Sequence, residues 1–254
     1  MRIATWNVNS LKVRLEQVLR FAASASPDVI ALQETKLTDD RFPLAEIEAA
    51  GYRAVFAGQK TYNGVALLAR GELLDVATEV PGAPDPQRRW LAATFSGVRV
   101  IDVYVPNGES VGSEKYAYKL AWMERMREAL AGELARNAQL VVLGDFNVAP
   151  EDRDVHDPKE WEGKVLCSEP EREALRQIFA AGLQDVFRRF EQPEKEFSWW
   201  DYRMNAFRRK RGMRIDLILA SGALAARCTA CRIDKEPRRA ERPSDHTPVI
   251  ADFA

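Results

Sequence analysis

The sequence predicts a layered α/β sandwich, two packed β-sheets with helices on the outside, and three observations lead there. Short apolar runs rich in Val, Ile and Leu recur almost from end to end, as expected of well-buried strands. Helical periodicity appears between some of them, and no glycine-rich phosphate loop follows the first strand. That lack weakens the other architecture such alternation admits, a doubly wound nucleotide-binding sheet. Finally, LAATF and VRVIDVYV are separated only by Ser96-Gly97, a break short enough for an antiparallel hairpin.

In chain order the strands are RIATW, DVIALQ, GVALLA, LAATF, VRVIDVYV, QLVVLG, RIDLILA and PVIADF. After the first, SLKVRLEQVLRFAAS places Leu11, Leu15, Val18 and Leu19 on one helical face, with Ser10 as the N-cap. Residues 114–136 form a longer amphipathic helix, and residues 170–182 a third, with Pro170 at its start and Gly182 at its end. PGAPDPQ (residues 81–87) is a stiff loop too short to divide domains, so residues 1–254 are read as one domain.

Composition narrows the function. The chain is 46% hydrophobic with a net charge of −1, so it can bury a large core and has no global positive field for nucleic acid; any such binding must use a local basic patch. No apolar run approaches a membrane span and no leader pattern opens the chain, which predicts a cytoplasmic protein. Cys167, Cys228 and Cys231 are read as semi-buried thiols of a reducing compartment, CTAC having neither a second CxxC nor a nearby histidine.

The informative residues stand where strands stop. RIATW runs into Asn7 and Asn9, DVIALQ into Glu34, VRVIDVY into Tyr104 and then Asn107, and QLVVLG into Asp145 and Asn147. Asp216 lies inside RIDLILA, and Asp245-His246 sits in a loop stiffened by Pro243 and Pro248. Singly, each reads as a turn residue. Together they suggest one rim of acids, amides, a phenol and an imidazole. Asp216, in an apolar run, needs a cationic or hydrogen-bonding partner. Hard oxygen donors (Glu34, Asp145, Asp245 and the amide oxygens of Asn7 and Asn147) suit Mg²⁺ or Mn²⁺ better than zinc, and such an ion points to metal-assisted hydrolysis of a phosphate ester.

TWNVNSLKVR, LQETK, YNGVAL, YVPNGE, LGDFNVAP, FSWWDY, GMRIDLIL and PSDHTPV, in this order, resemble the exonuclease III family of abasic-site endonucleases. The resemblance implies a four-layer sandwich like that of deoxyribonuclease I, with two mixed sheets flanked by helices. It also implies roles. Glu34 is the principal metal carboxylate, with Asn7 and Asp245 nearby. Asp145 is the base or water-positioning residue, and Asn147 holds its side of the phosphate site. Tyr104 is the phenol at the phosphate. His246 grips the scissile phosphate, oriented by Asp216. The implied substrate is double-stranded DNA with abasic sites, nicks or blocked 3′ ends, handled by a monomer.

For DNA contact, the run from Arg203 to Arg214 holds Arg208 and Arg209 with no acid between, and phosphate binding there would make affinity fall with salt. Asn9, Lys60, Tyr62, Asn63, Asn107 and Trp199 match DNA-facing positions of the family, with Trp199 toward a sugar pocket and Trp200 toward the core; Asn63-Gly64 also reads as a hairpin turn. Two departures stand out: Met213 replaces a tryptophan found in some members, and bulky Leu166 would restrict an extrahelical abasic sugar. His156 is read as a surface residue. The alternatives are a superfamily phosphatase acting on another phosphoester and a non-catalytic damaged-DNA-binding protein.

Overall fold

The computed structural model describes residues 1–254. Its strands are β1 (Arg2–Asn7), β2 (Val29–Gln33), β3 (Arg53–Ala57), β4 (Val65–Ala69), β5 (Leu74–Ala77), β6 (Trp90–Phe95), β7 (Val98–Tyr104), β8 (Leu140–Asp145), β9 (Leu183–Asp185), β10 (Asp216–Ser221), β11 (Cys228–Ile233) and β12 (Val249–Phe253). The helices are α1 (Leu11–Ala25), α2 (Leu44–Ala49), α3 (Glu114–Arg136), α4 (Pro158–Trp161), α5 (Glu169–Ala180) and α6 (Gly222–Ala225). None is long and apolar enough to cross a membrane.

Two six-stranded mixed sheets result, in the orders β11-β12-β1-β2-β4-β3 and β5-β6-β7-β8-β10-β9. One core lies between them, built from alternate residues such as Ile3, Ala31, Val100, Leu143 and Ile218. The opposite faces are covered by helices: α1 and α2 bring Leu11, Val18, Phe21 and Ile47 to the first sheet, and α3 and α5 bring Trp122, Met126, Leu175 and Ile178 to the second. The arrangement is the four-layer sandwich expected, and the Ser96-Gly97 hairpin is present, with Phe95 paired to Val98.

Some local expectations need correction. Ser10 occupies the N-cap position of α1, but its φ is +92° and its side chain makes no cap. The backbone N–H groups of Ser10 and Leu11 donate instead to the carbonyls of Glu34 and Thr35, tying the helix start to the loop after β2. Asn63-Gly64 is not a two-residue hairpin; the carbonyls of Asn63 and Gly64 accept from Lys36 and Thr35. Gly64 is required there, because a Cβ would stand 2.2 Å from Thr35 Oγ1.

The inter-sheet core changes character along its length. Moving from Ile3 to Thr5, from Ala31 to Gln33 and from Val100 to Asp102, each inward-facing position turns polar as the strands near one end. Gln33 Nε2 donates to Thr5 Oγ1 (2.9 Å) and Asp102 Oδ1 (2.7 Å). Burial pushes the Asp102 carboxyl well above the usual carboxylate range, only partly offset by Gln33 and the Ala66 N–H. A carboxyl whose folded pKa is raised contributes stability that is complete below its unfolded value and is lost as pH rises toward the folded one. Asp102→Asn should therefore gain stability over the parent as pH rises from about 5 to about 8, by about 1.4 kcal/mol for each pH unit crossed below the folded pKa. Urea unfolding at the two pH values checks this; a difference that does not change with pH removes the buried, protonated carboxyl.

Candidate active site

The polar end of that core is the candidate site. Parallel pairing of β7 with β8 sets Tyr104 beside Asp145, and antiparallel pairing of β8 with β10 sets Asp145 beside Asp216. Residues level on adjacent strands point to the same face about 4.8 Å apart, so the phenol and two carboxylates form one row facing the other sheet. From that sheet Asn7 ends β1, level with Gln33 at the end of β2, and Glu34 follows directly. β12 runs antiparallel to β1, which returns the preceding Asp245-His246 loop to the same rim.

Pro243 and Pro248 are not the only restraints on that loop. Thr247 N–H donates to the Ser198 carbonyl and Trp200 N–H to the Asp245 carbonyl, while Ser244 Oγ donates to the Asn7 carbonyl at 2.7 Å. Backbone strain also gathers here: φ is +43° at Asn9, +54° at Glu34, +55° at Lys36 and +49° at Asn147, a left-handed region costly to ordinary residues and typical of functional sites.

The side chains form one connected set. His246 Nδ1 lies 2.9 Å and 3.1 Å from the two Asp216 oxygens, and its Nε2 is 3.7 Å from Asp145 Oδ2. Asn7 Nδ2 donates to Asp145 Oδ2 (2.9 Å) and to Glu34 Oε1 (2.8 Å). Asn147 donates to Asp145 through its backbone N–H (2.9 Å) and Nδ2 (3.2 Å). Ligand atoms of Asp145, Asp216 and His246 lie within 4.8 Å of one another.

Burial alone would lower the pKa of His246, but the Asp216 and Asp145 carboxylates outweigh it and hold the imidazole protonated. Burial pushes Asp145 up, into the range of a proton acceptor near neutrality, with His246 opposing and Asp216 adding to the shift. Burial and the charges of Glu34 and Asp145 keep the Tyr104 phenol protonated. Burial would also raise Glu34, but Lys36, at 2.8 Å, and the Asn7 amide keep it ionised below its ordinary range. The rim thus holds a protonated cation, an acceptor carboxylate, a neutral phenol and an ionised carboxylate.

The donor set fits a hard cation, being carboxylate oxygen with one imidazole already committed to Asp216. The amides, however, face otherwise than expected. Their NH₂ groups serve the crowded carboxylates, while Asn7 Oδ1 accepts from Asn9 N–H and Asn147 Oδ1 from Asn107 Nδ2. Asp245 stands one step outward, its oxygens accepting from Asn9 Nδ2 (2.9 Å) and Trp199 Nε1 (3.1 Å).

Residues 4–246 match the model of the Endonuclease/Exonuclease/phosphatase family. An exodeoxyribonuclease III of Haemophilus influenzae is 35% identical over the full length of both chains. The chain belongs to the exonuclease III family. Among solved structures, a Neisseria 3′ phosphatase bound to a product DNA hairpin is 48% identical with a TM-score of 0.98, over 100% of this chain and 99% of that one. An AP endonuclease from Archaeoglobus fulgidus is 41% identical with a TM-score of 0.95 over the same shares. The exonuclease III family is metal-dependent and hydrolyses DNA, and this chain is an enzyme of that kind.

The positions expected at the DNA behave unequally. Asn9 lies inside the site, where it also accepts from Lys36 Nζ at 2.6 Å. Lys60, Tyr62, Asn107, Arg203, Arg208 and Arg209 are exposed, while Asn63 is buried and donates to Gln59 and Gln87. Trp199 is half-buried beside Asp245, and Trp200 is in the core, as expected. Arg214 corrects the expectation. It is 1% exposed, paired with Asp154 at 2.6 Å and Asp185 at 2.8 Å, over the Phe187 ring. The chain is already turning into the sheet there, and two buried acids require the cation. His156 is likewise no free surface residue; its Nδ1 meets the Gly212 carbonyl and its Nε2 accepts from Arg211.

Three contributors to the site were missed. Lys36 was legible in LQETK. Arg89 lies over the Tyr104 ring at 4.6 Å and donates to its carbonyl; its signal was only a basic pair before a strand. Ser198 Oγ accepts from the N–H groups of Ile215 and Asp216; its signal was only its place in the FSWWDY motif.

Proposed function

We propose that this enzyme is a DNA repair nuclease that works chiefly on 3′ ends, hydrolysing the terminal phosphodiester or a blocking 3′-phosphate in nicked or recessed duplex. Cleavage 5′ to an internal abasic site is then its lesser activity. The observation that carries the reading is Leu166. It holds φ at +74°, where glycine is the natural occupant, and its side chain is buried with Ala149, Val155, Met213 and Ile215, with Trp199 packed against the group. A wall filled in this way beside Trp199 opposes a sugar swung out of the helix but not a strand terminus. The similarity to the Neisseria 3′ phosphatase agrees.

In this reading Glu34, Asp145 and Asp245 would hold Mg²⁺, or Mn²⁺ in its place, with the amides of Asn7 and Asn147 beside them. When bound, that ion neutralises phosphate charge as it grows in the transition state. His246, protonated and fixed by Asp216, donates to a non-bridging phosphate oxygen. Asp145 takes the proton of the attacking water as the bond from phosphorus to the departing oxygen breaks, and Tyr104, kept neutral, is the phenol available to that oxygen. The exposed side chains of Arg203, Arg208 and Arg209, and those of Lys60 and Tyr62, are assigned to the DNA backbone. The protein acts as a cytoplasmic monomer.

Two measurements test this. EDTA should abolish release of nucleotides from a recessed 3′ end while gel-shift binding of the duplex survives; cleavage that persists under chelation sinks the metal assignment. Leu166→Gly should raise internal abasic incision relative to 3′ trimming about tenfold or more, the scale on which pocket volume discriminates substrates. An unchanged ratio in a folded variant would remove Leu166 from substrate choice.

A further inference from the structure

Lys119 sits on the inner face of α3 with no exposed side-chain surface, and so does its partner Glu171 on α5. An ammonium has three protons to donate, and all three find acceptors here: Glu171 Oε1 (2.5 Å), the Asn147 carbonyl (2.6 Å) and the Asn107 carbonyl (3.1 Å). Two of the three are thus main-chain atoms of loops whose side chains meet at the rim, since Asn107 Nδ2 donates to Asn147 Oδ1. Glu171 is as fully engaged. Its Oε1 also accepts from Leu166 N–H (3.0 Å), and its Oε2 from Ser168 N–H and Oγ. The loop before α3 rests directly on the lysine stem, where a Cβ built on Gly108 would lie 3.0 Å from Lys119 Cδ and 3.3 Å from Val165.

A buried ion pair is a poor stabiliser, because desolvating both charges offsets their attraction and an apolar pair of equal volume often does as well. What an apolar pair cannot supply is three directed N–H bonds to three separate segments. We propose that Lys119 is a positioning residue: with Glu171 it fixes the Asn147 and Asn107 backbones relative to the Leu166 wall, so that one buried pair sets both the alignment of the phosphate end and the choice between terminal and internal cleavage. The inference rests on the function proposed above and adds to it the device that couples rate to substrate choice.

The coupling follows from geometry. Asn147 supplies two of the hydrogen bonds on Asp145, so a shift of its backbone moves the acceptor carboxylate against the water it must deprotonate. Leu166 hangs from the other end of the same pair through its N–H. Without the ammonium, two loop carbonyls lose their buried donor and Glu171 its counter-charge, and both loops must resettle.

The test uses full-length Lys119→Met, which keeps stem length and removes the three donors, with Lys119→Arg as the charge-retaining control. Both are assayed on a recessed 3′ end and on an internal abasic duplex. Lys119→Met should lower kcat on the recessed end about 10- to 100-fold, the usual cost of a slight misalignment of reacting groups, with KM little changed. The ratio of internal to terminal cleavage should shift by about threefold or more, and Lys119→Arg should recover part of both. A purely structural role would lower both activities in proportion to the folded fraction seen by circular dichroism, and that result overturns the proposal, as does an unchanged kcat and ratio in a folded variant. Should Lys119→Met not fold, Glu171→Gln keeps the side-chain volume, removes the counter-charge of the same pair, and is judged by the same two readouts. A parent inactive on both duplexes overturns the function reading and this one with it; an active parent with indifferent variants overturns only this one.

Discussion

Asp145→Asn should lower turnover on a recessed 3′ end by about 10²–10⁴-fold, the range typical of a lost general base, while duplex affinity stays level or rises. The two halves have different causes. Asparagine cannot take a proton from water, so the chemical step loses its acceptor. Binding, however, involves a polyanion approaching a rim that holds Glu34, Asp145, Asp216 and Asp245 within one short span, and removing one negative charge relieves repulsion. The substitution is nearly isosteric but not neutral to its neighbours. Asp145 Oδ1 accepts from Asn147 N–H and Oδ2 from the amides of Asn7 and Asn147, so an NH₂ placed on either side meets a donor. Some loss through displacement of Asn147 is therefore built into the measured effect. Gel-shift affinity together with single-turnover rates separates the parts, and turnover equal to the parent would end the base assignment.

Asp216→Asn and His246→Asn should each cost roughly 10²–10⁴-fold, and the double variant should be little worse than either. With Nδ1 held by Asp216 at 2.9 Å, the imidazole and carboxylate act as one part: removing the acid frees the ring to turn and lose its proton, and removing the ring leaves the acid without its cation. A double-mutant cycle with additive losses would argue that they act separately. A pH profile adds an independent check. Asp216 is the first of the charges that raise the His246 pKa, so its loss lowers that pKa. A group active only when protonated then fails as pH rises, and the alkaline limb of the Asp216→Asn profile should move toward neutrality.

The sandwich was readable because its central strands are buried on both faces and so appear as unbroken apolar runs. The strands that escaped notice are edges. β3, with Arg53 exposed, β5, with Leu74, Asp75 and Val76 exposed, and three-residue β9 all close a sheet and carry one wet face or too few residues. The site was legible for a related reason: polar residues ending apolar runs stand out, and the family resemblance supplied their roles. What a linear reading lacked was the inside of the molecule. Arg214 reads as one more arginine in a basic run, yet Asp154 and Asp185 wait for it from distant segments. Lys119 did leave a trace, a lysine in phase with Tyr116, Met123 and Met126 on the buried side of α3. Its partners lie in three other stretches of chain, and no periodicity shows those.

β1 lies between β12 and β2 in its sheet, and the rim joins Asn7 to His246 across nearly the whole chain. During synthesis the ribosome delivers the first of these long before the last. A growing chain can complete the second sheet, from β5 to β10, while the first still lacks β12 and the imidazole. The imidazole therefore joins the rim only once β12 has paired with β1, so the site closes as one of the last steps of folding the sandwich.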